Sequence, residues 1–203
     1  MQKFLDWLER VLTPLAKVIG ENKYLVAIRD GFLLSTPLLI VGSVFLLIAN
    51  FPLPQWDTWM SHLLGKDWAT MMSVPASASF DVMTILAVVG IAYSLGKQFN
   101  VDAMQAGIIA LVSFFIVTPY QTLFTPENSS KVYEVTSLPL KWMGSSGLFL
   151  GMIVALIATR LFVAIVRKGW TIKMPEGVPP TVVKSFEALI PSFLVVTLMF
   201  LVN

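Results

Sequence analysis

An uncharged stretch at residues 31–49 constrains the fold of this chain more than any other sequence feature. It reads GFLLSTPLLIVGSVFLLIA, and about 20 apolar residues in a helix are needed to cross the ~30 Å hydrocarbon core of a bilayer. Charged residues make up 13% of the chain, about half of their usual share in soluble domains. We therefore predict a membrane protein rather than a soluble enzyme domain.

Similar apolar stretches recur and predict an all-α integral membrane fold with about five transmembrane helices. They are placed at residues 31–50, 80–97, 103–121, 143–166 and 187–203. Before them, residues 4–19 repeat apolar side chains at helical spacing with charges on the other faces, which predicts an amphipathic helix in the membrane interface. An ordinary soluble helix is the alternative for that segment.

The connecting segments 50–79, 120–142 and 167–187 are predicted to be loops. In the first of them, Trp56, Trp59 and Trp68 are predicted to anchor the chain at the membrane interface, where amphipathic rings are enriched. Lys97 and Asp102 predict a tight polar turn after the second span.

Lysine and arginine are distributed unevenly between the two sets of connecting segments. Only Lys66, Lys131 and Lys141 fall on the side opposite the N-terminus. The other eleven fall on the N-terminal side: Lys3, Arg10, Lys17, Lys23, Arg29, Lys97, Arg160, Arg167, Lys168, Lys173 and Lys184. Because cytoplasmic segments carry the excess of cations, we predict that the N-terminus is cytoplasmic and that segments 50–79 and 120–142 face outwards.

Several classes of function are excluded by composition and motifs. The chain has no cysteine, which excludes disulfides and thiol chemistry. Its net charge of +2 is too small to indicate nucleic-acid binding. The glycine motifs that bind the phosphates of nucleotides are missing from the sequence. His62, the only histidine, has no triad partner at a recognisable spacing, so neither a catalytic residue, a metal nor a cofactor is predicted.

Three charges at the predicted ends of spans are candidates for function, because an unpaired charge in hydrocarbon is costly. Arg29 and Asp30 precede the first span, and Asp81 lies at the outer start of the second. The structural alternative is that Arg29 and Asp30 pair or reach the interface. Arg160, near the end of the fourth span, can reach the interface in the same way.

Residues 170–191, WTIKMPEGVPPTVVKSFEALIP, form the most informative connecting segment. Its prolines predict a rigid, extended connection, and Gly177 permits a turn. Val182, Val183 and Phe186 then begin a helix at apolar spacing. A plain spacer between two helices is the alternative.

This segment resembles the inner-loop signature of enzyme IIC, the membrane subunit of the phosphoenolpyruvate-dependent sugar phosphotransferase system, in its lactose/cellobiose/diacetylchitobiose branch. The matching residues are MPEGVPPTVVKSFEALIP. Residues 25–54, with their Ile-Arg-Asp-Gly entry, are similar to the first span of that family, and residues 101–119 to its third. On this resemblance the candidate functional residues of the inner loop are Pro175, Glu176, Gly177, Pro179, Pro180, Ser185 and Phe186.

The resemblance implies a multi-pass permease of the bacterial inner membrane that works as a homodimer and takes up a β-linked disaccharide of the cellobiose or diacetylchitobiose type. Enzyme IIB, with enzyme IIA upstream, would carry the phosphoryl transfer. Members of the family are longer, so residues 1–203 are expected to be the N-terminal part of the transmembrane domain, a partial or truncated form. The main sugar-binding residues are expected in the missing half. A membrane scaffold that dimerises or docks a partner without transport is the alternative.

Overall fold

The computed structural model describes residues 17, 20–126, 131–175 and 177–203. Apart from Lys17, the predicted amphipathic helix at residues 4–19 lies outside this part of the chain. The described helices are α1 (Lys23–Ala49), α2 (Trp56–Leu64), α3 (Trp68–Phe80), α4 (Met83–Gln98), α5 (Ala103–Val117), α6 (Leu140–Met143), α7 (Leu148–Arg167), α8 (Pro180–Glu187) and α9 (Leu189–Val202). A short 3-10 turn, Ser145–Gly147, precedes α7, and two strands, β1 (Gln121–Phe124) and β2 (Tyr133–Thr136), pair after α5.

The predicted helical membrane fold is confirmed. In the described residues, four helical stretches are long and apolar enough to cross a bilayer: Lys23–Ala49, Trp68–Gln98, Ser145–Arg167 and Pro180–Val202. The predicted third span is the shorter α5, which has 15 residues and is therefore about 22 Å long. It stops at Val117 because Thr118 precedes a proline, which favours extended backbone, and Thr118 has φ −100° and ψ 143°.

The prediction that residues 50–79 form a loop is wrong. The segment contains α2 and α3, and α3 adjoins α4 across a break at Asp81 and Val82, so that Trp68–Gln98 makes one 31-residue candidate span. Pro75 lies inside α3 without ending it, as membrane helices tolerate. The second span is therefore almost twice as long as predicted.

The predicted loop at residues 120–142 is also partly ordered. Strands β1 and β2 form an antiparallel hairpin in which Gln121 pairs with Thr136 and Phe124 with Tyr133. All the side chains of both strands are exposed. Threonine, tyrosine and valine favour such a pleated pair, and the helix-based prediction overlooked this pattern.

Close backbone contacts join α1 to the α3–α4 span. Gly31 lies against Gly90 and Ile91, and a Cβ atom on Gly90 would be 2.5 Å from the carbonyl oxygen of Gly31. Nearer the other end, a Cβ atom on Gly42 would be 2.8 Å from Oγ of Ser79. Small residues are what allow membrane helices to approach this closely, so these contacts fix α1 antiparallel to α3 and α4.

The bundle core lies among α4, α5, α7 and α9. It consists of fully buried apolar side chains, including Val88, Ile91, Ala110, Phe114, Phe162 and Val195. Gly151 packs on this core, since a Cβ atom there would be 2.7 Å from Thr84. Gly147, four residues earlier, belongs to the 3-10 turn and packs against Trp142.

The tryptophans of the 50–79 segment differ in their surroundings. Trp59 is 57% exposed, as an interfacial anchor should be, whereas Trp68 is 1% exposed and its Nε1–H donates to Oδ1 of Asp57 at 2.9 Å. Trp56 donates to the carbonyl of Ile48 at 2.8 Å, and its ring centroid is 6.5 Å from that of Trp68. The anchor prediction is therefore wrong for Trp68, which packs inside the protein.

Candidate functional site

Several helix ends meet at one end of the bundle. Nζ of Lys23 donates to the carbonyl of Gln98 at 3.1 Å, which joins the start of α1 to the end of α4. Arg167, the last residue of α7, donates to the carbonyl of Phe99 at 3.3 Å. Lys23 and Arg167 both belong to the eleven cations that the sequence assigns to the N-terminal side. We call this end of the bundle, which contains Lys23 and Arg167, the cationic end.

The turn between α4 and α5 lies at the cationic end. Asp102 caps α5, because its Oδ1 accepts from the backbone N–H of Gln105 at 3.0 Å. Asn100 takes a left-handed conformation with φ 56°, which asparagine tolerates better than most residues. The tight polar turn predicted from Lys97 and Asp102 is thus confirmed.

A small cleft of ≈ 180 Å³ opens between α5, α7 and α8. Its polar groups are two carboxylates, one ammonium group and one hydroxyl. The lining residues are Asp102, Phe162, Val166, Thr171, Lys184, Glu187 and Ala188. Pockets that enclose drug-sized ligands are about 300–1,000 Å³, so this cleft alone is too small for a disaccharide.

An ion pair crosses the cleft and connects the inner loop to the bundle. Nζ of Lys184 lies 3.5 Å from Oδ2 of Asp102, and the two side chains are 63% and 26% exposed. Such partly solvated pairs contribute at most about 1 kcal/mol. The pair therefore acts as a weak latch that holds α8 against the start of α5.

The inner-loop candidates from the sequence are mostly exposed, and none of the described ones lines the cleft. Pro179 is extended and precedes α8, while Pro180 takes the first helical position that proline favours. Gly177 has φ +99°, a left-handed value suited to glycine. Oγ of Ser185 donates within α8 to the carbonyl of Thr181 at 3.0 Å. The remaining candidates are Pro175 and Phe186, both exposed, and Glu176, which lies outside the described residues.

The cleft residues Thr171, Lys184 and Glu187 are not among the candidates that the sequence predicts. One local signal was available, because Lys184, Glu187 and Ala188 are three and four residues apart and so share a helix face. Their partner Asp102 lies far away in sequence. Local spacing could therefore predict the face but not what it packs against.

The predicted charges at span ends have different surroundings. Nε and Nη2 of Arg29 each lie 2.8 Å from Oδ1 of Asp30, which is the pairing that the structural alternative expects. Asp81 does not lie at the start of a span, as predicted, but at the α3–α4 break near the middle of one. The misplacement follows from reading α3 as part of a loop.

Asp81 borders a second cleft, of ≈ 380 Å³, at the α3–α4 break. Its lining residues are Phe80, Asp81, Met83, Leu140, Lys141, Gly144, Ser145 and Ser146. Beside it, the buried hydroxyl of Thr84 donates to the carbonyl of Gly144 at 2.6 Å. This hydrogen bond connects Gly144, which lies between α6 and the 3-10 turn, to the start of α4.

Comparison with known proteins identifies the family. The model of the family "Phosphotransferase system, EIIC" matches residues 29–203. The cellobiose-specific EIIC component of Geobacillus stearothermophilus is 43% identical over 192 residues, which cover 94% of this chain and 43% of the relative. The lichenan permease IIC component of Bacillus subtilis (strain 168) is 42% identical over 199 residues, which cover 98% and 44%.

A solved structure agrees with these relatives. The crystal structure of the transporter ChbC, the IIC component from the N,N'-diacetylchitobiose-specific phosphotransferase system, superposes with a TM-score of 0.90 at 43% identity. The match covers 97% of this chain and 46% of that chain, so this chain spans less than half the length of these relatives. Its apolar helices, their arrangement and the match over residues 29–203 show that the chain belongs to the membrane-embedded EIIC family of the phosphotransferase system.

Proposed function

We propose that residues 1–203 are the N-terminal part of the transmembrane domain of a sugar permease that takes up a β-linked disaccharide of the cellobiose or diacetylchitobiose type. The observation that carries the proposal is the likeness, over nearly the whole chain, to relatives named for cellobiose and diacetylchitobiose. The small size of the cleft at the cationic end agrees with a sugar site formed mainly by other residues.

In this proposal uptake is coupled to phosphorylation by enzyme IIB, which enzyme IIA supplies with phosphoryl groups, and the permease acts as a homodimer. The inner loop would face enzyme IIB, because its candidates Pro175, Gly177, Pro179, Pro180, Ser185 and Phe186 are exposed rather than packed in the cleft. The chain would supply the scaffold, and enzyme IIB the phosphoryl group.

Uptake in a bacterial strain that lacks its own permeases for these sugars tests the proposal. We expect the open reading frame that encodes this chain to give intracellular phosphorylated disaccharide when its enzyme IIB is co-expressed. Without enzyme IIB, accumulation should fall to the level of the empty vector, because the sugar would not be trapped by phosphorylation. Radiolabelled cellobiose and diacetylchitobiose, separated from their phosphates by chromatography, provide the measurement.

Two results would contradict this proposal. Accumulation of free, unmodified sugar in the absence of enzyme IIB would exclude coupling to phosphorylation. Correct membrane insertion with no uptake of any tested disaccharide would favour the alternative of a scaffold that docks a partner without transport.

The cationic end is proposed to face the cytoplasm, with the N-terminus on the same side. The excess of cations supports this orientation, as do the contacts that bring Lys23, Arg167 and Lys184 to one end of the bundle. The latch between Lys184 and Asp102 would then restrain the inner loop on the cytoplasmic side.

Limited proteolysis of membrane vesicles tests the orientation and the latch together. Trypsin is expected to cut after Lys173 in inside-out vesicles and not in right-side-out vesicles. Asp102→Asn should speed this cleavage about two- to fivefold, because asparagine still caps α5 but removes the negative partner of Lys184. Cleavage is followed by mass spectrometry of the released fragments.

The matched control is Asp67→Asn, which makes the same substitution at the start of α3, where the side chain makes no capping bond. It should leave the cleavage rate unchanged. Cleavage in right-side-out vesicles alone would show that the cationic end faces outwards. Equal rates for wild type and Asp102→Asn would show that the ion pair does not restrain the inner loop.

A further inference from the structure

One aromatic ring at the cationic end is surrounded by cations from two different helices. Nζ of Lys23 lies 4.9 Å from the ring centroid of Phe99, and the guanidinium carbons of Arg160 and Arg167 lie 5.1 and 5.2 Å from it. The ring of Tyr24 completes the group at 6.1 Å. Cations are attracted to the face of an aromatic ring, so Phe99 gathers three like charges in a small volume.

These three cations have no carboxylate partner among the described residues. The ion pairs of that part of the chain join Lys17 to Glu21, Arg29 to Asp30 and Lys184 to Asp102. Lys23 and Arg167 each use one donor on a backbone carbonyl, and both retain further N–H groups, as does Arg160. Within the described part of the chain, the group therefore offers several donors and a net positive charge to an anion.

An apolar groove adjoins the cations on the outer surface of the bundle. Its volume is ≈ 340 Å³, and its lining consists of Tyr24, Leu156, Ile157, Arg160 and Leu161. Tyr24 and Arg160 belong to both the groove and the group around Phe99. A positively charged group and an apolar groove are therefore continuous.

We propose that this surface holds one anionic phospholipid, with its phosphate at Lys23, Arg160 and Arg167 and one acyl chain in the groove. Basic pockets beside membrane helices are suited to anionic headgroups, and the groove accepts hydrocarbon without burying a polar group. A two-fold dimer centred on this surface would place the same cations of a second copy against those of the first. Charge complementarity therefore favours lipid over a second copy.

Native mass spectrometry of the purified protein in detergent tests the proposal. Phosphatidylglycerol should bind at least tenfold more tightly than phosphatidylcholine with the same acyl chains, because the zwitterionic headgroup carries no net charge. The double variant Arg160→Gln/Arg167→Gln should lose roughly 30-fold in affinity for phosphatidylglycerol. The control Lys66→Gln/Lys141→Gln removes two cations from outside the cationic end and should retain wild-type binding.

The variant Ile157→Trp changes the groove but retains every cation. It therefore tests lipid binding even if the double arginine variant does not fold. It should weaken the binding of both lipids, since the indole fills the space of the acyl chain. Equal affinity for the two lipids, or an equal loss in the lysine control, would overturn the proposal. Complete displacement by millimolar inorganic phosphate would indicate a free anion instead, and a change of oligomeric state in Ile157→Trp with lipid binding intact would assign the groove to a second copy.

Discussion

Gly90→Val is expected to separate two transmembrane helices and to cause a large loss of stability. A Cβ atom at this position would lie 2.5 Å from the carbonyl oxygen of Gly31, and neither backbone can move without separating α1 from α4. Overpacking in a tight contact costs about 3 kcal/mol or more. In detergent, the thermal unfolding midpoint should fall by roughly 6–12 °C, with loss of the monodisperse peak in gel filtration.

Gly20→Val is the matched control, because a Cβ atom at Gly20 would meet no atom of the described residues within 4 Å. The same substitution is then made without a clash. If both variants unfold at the same temperature, the close contact between α1 and α4 does not limit stability.

Thr84→Val is expected to have the next largest effect. Both the Thr84 side chain and Gly144 are buried, and the hydroxyl donates to the Gly144 carbonyl at 2.6 Å. Valine has nearly the same shape, so the substitution leaves the carbonyl without its donor, at a cost of about 1–3 kcal/mol. The free energy of unfolding, measured by denaturant titration in detergent, should decrease by that amount.

Thr159→Val makes the same substitution at a second fully buried threonine, in α7, whose hydroxyl has no hydrogen-bond partner among the described residues. Because only an unpaired polar group is removed, this variant should be as stable as wild type or more stable. A loss in Thr159→Val equal to that in Thr84→Val would mean that the bond to Gly144 does not determine the difference.

The long apolar helices could be predicted from the sequence because a helix that crosses the hydrocarbon core needs about 20 predominantly apolar residues. Residues 31–50 and 143–166 are predicted as spans; α1 covers the first but begins at Lys23, and α7 covers the second from Leu148 onwards. Segment 68–79 contains three serines and one threonine and falls within a predicted loop. Within α3, however, Oγ of Ser73 donates to the carbonyl of Thr70 at 2.7 Å and Oγ of Ser79 to that of Pro75 at 2.8 Å. Hydroxyls bonded to their own helix are compatible with the membrane, and composition alone does not reveal this.

The candidate site was less predictable, since it depends on contacts between distant residues. Lys184 and Asp102 belong to different helices, and Phe99 meets cations from α1 and α7. Charge counting placed these cations on one side of the membrane. It could not show which ring or carboxylate each one approaches, because tertiary packing determines that choice.

The packing of α1 has a consequence for the biogenesis of the protein. Its main contacts are with α3 and α4, the helices that follow it in the chain, and this pairing requires only short-range loop closure. The first helical hairpin can therefore assemble as soon as Gln98 has left the ribosome. Synthesis of α5, α7 and α9 would then proceed beside a partner that is already inserted and folded.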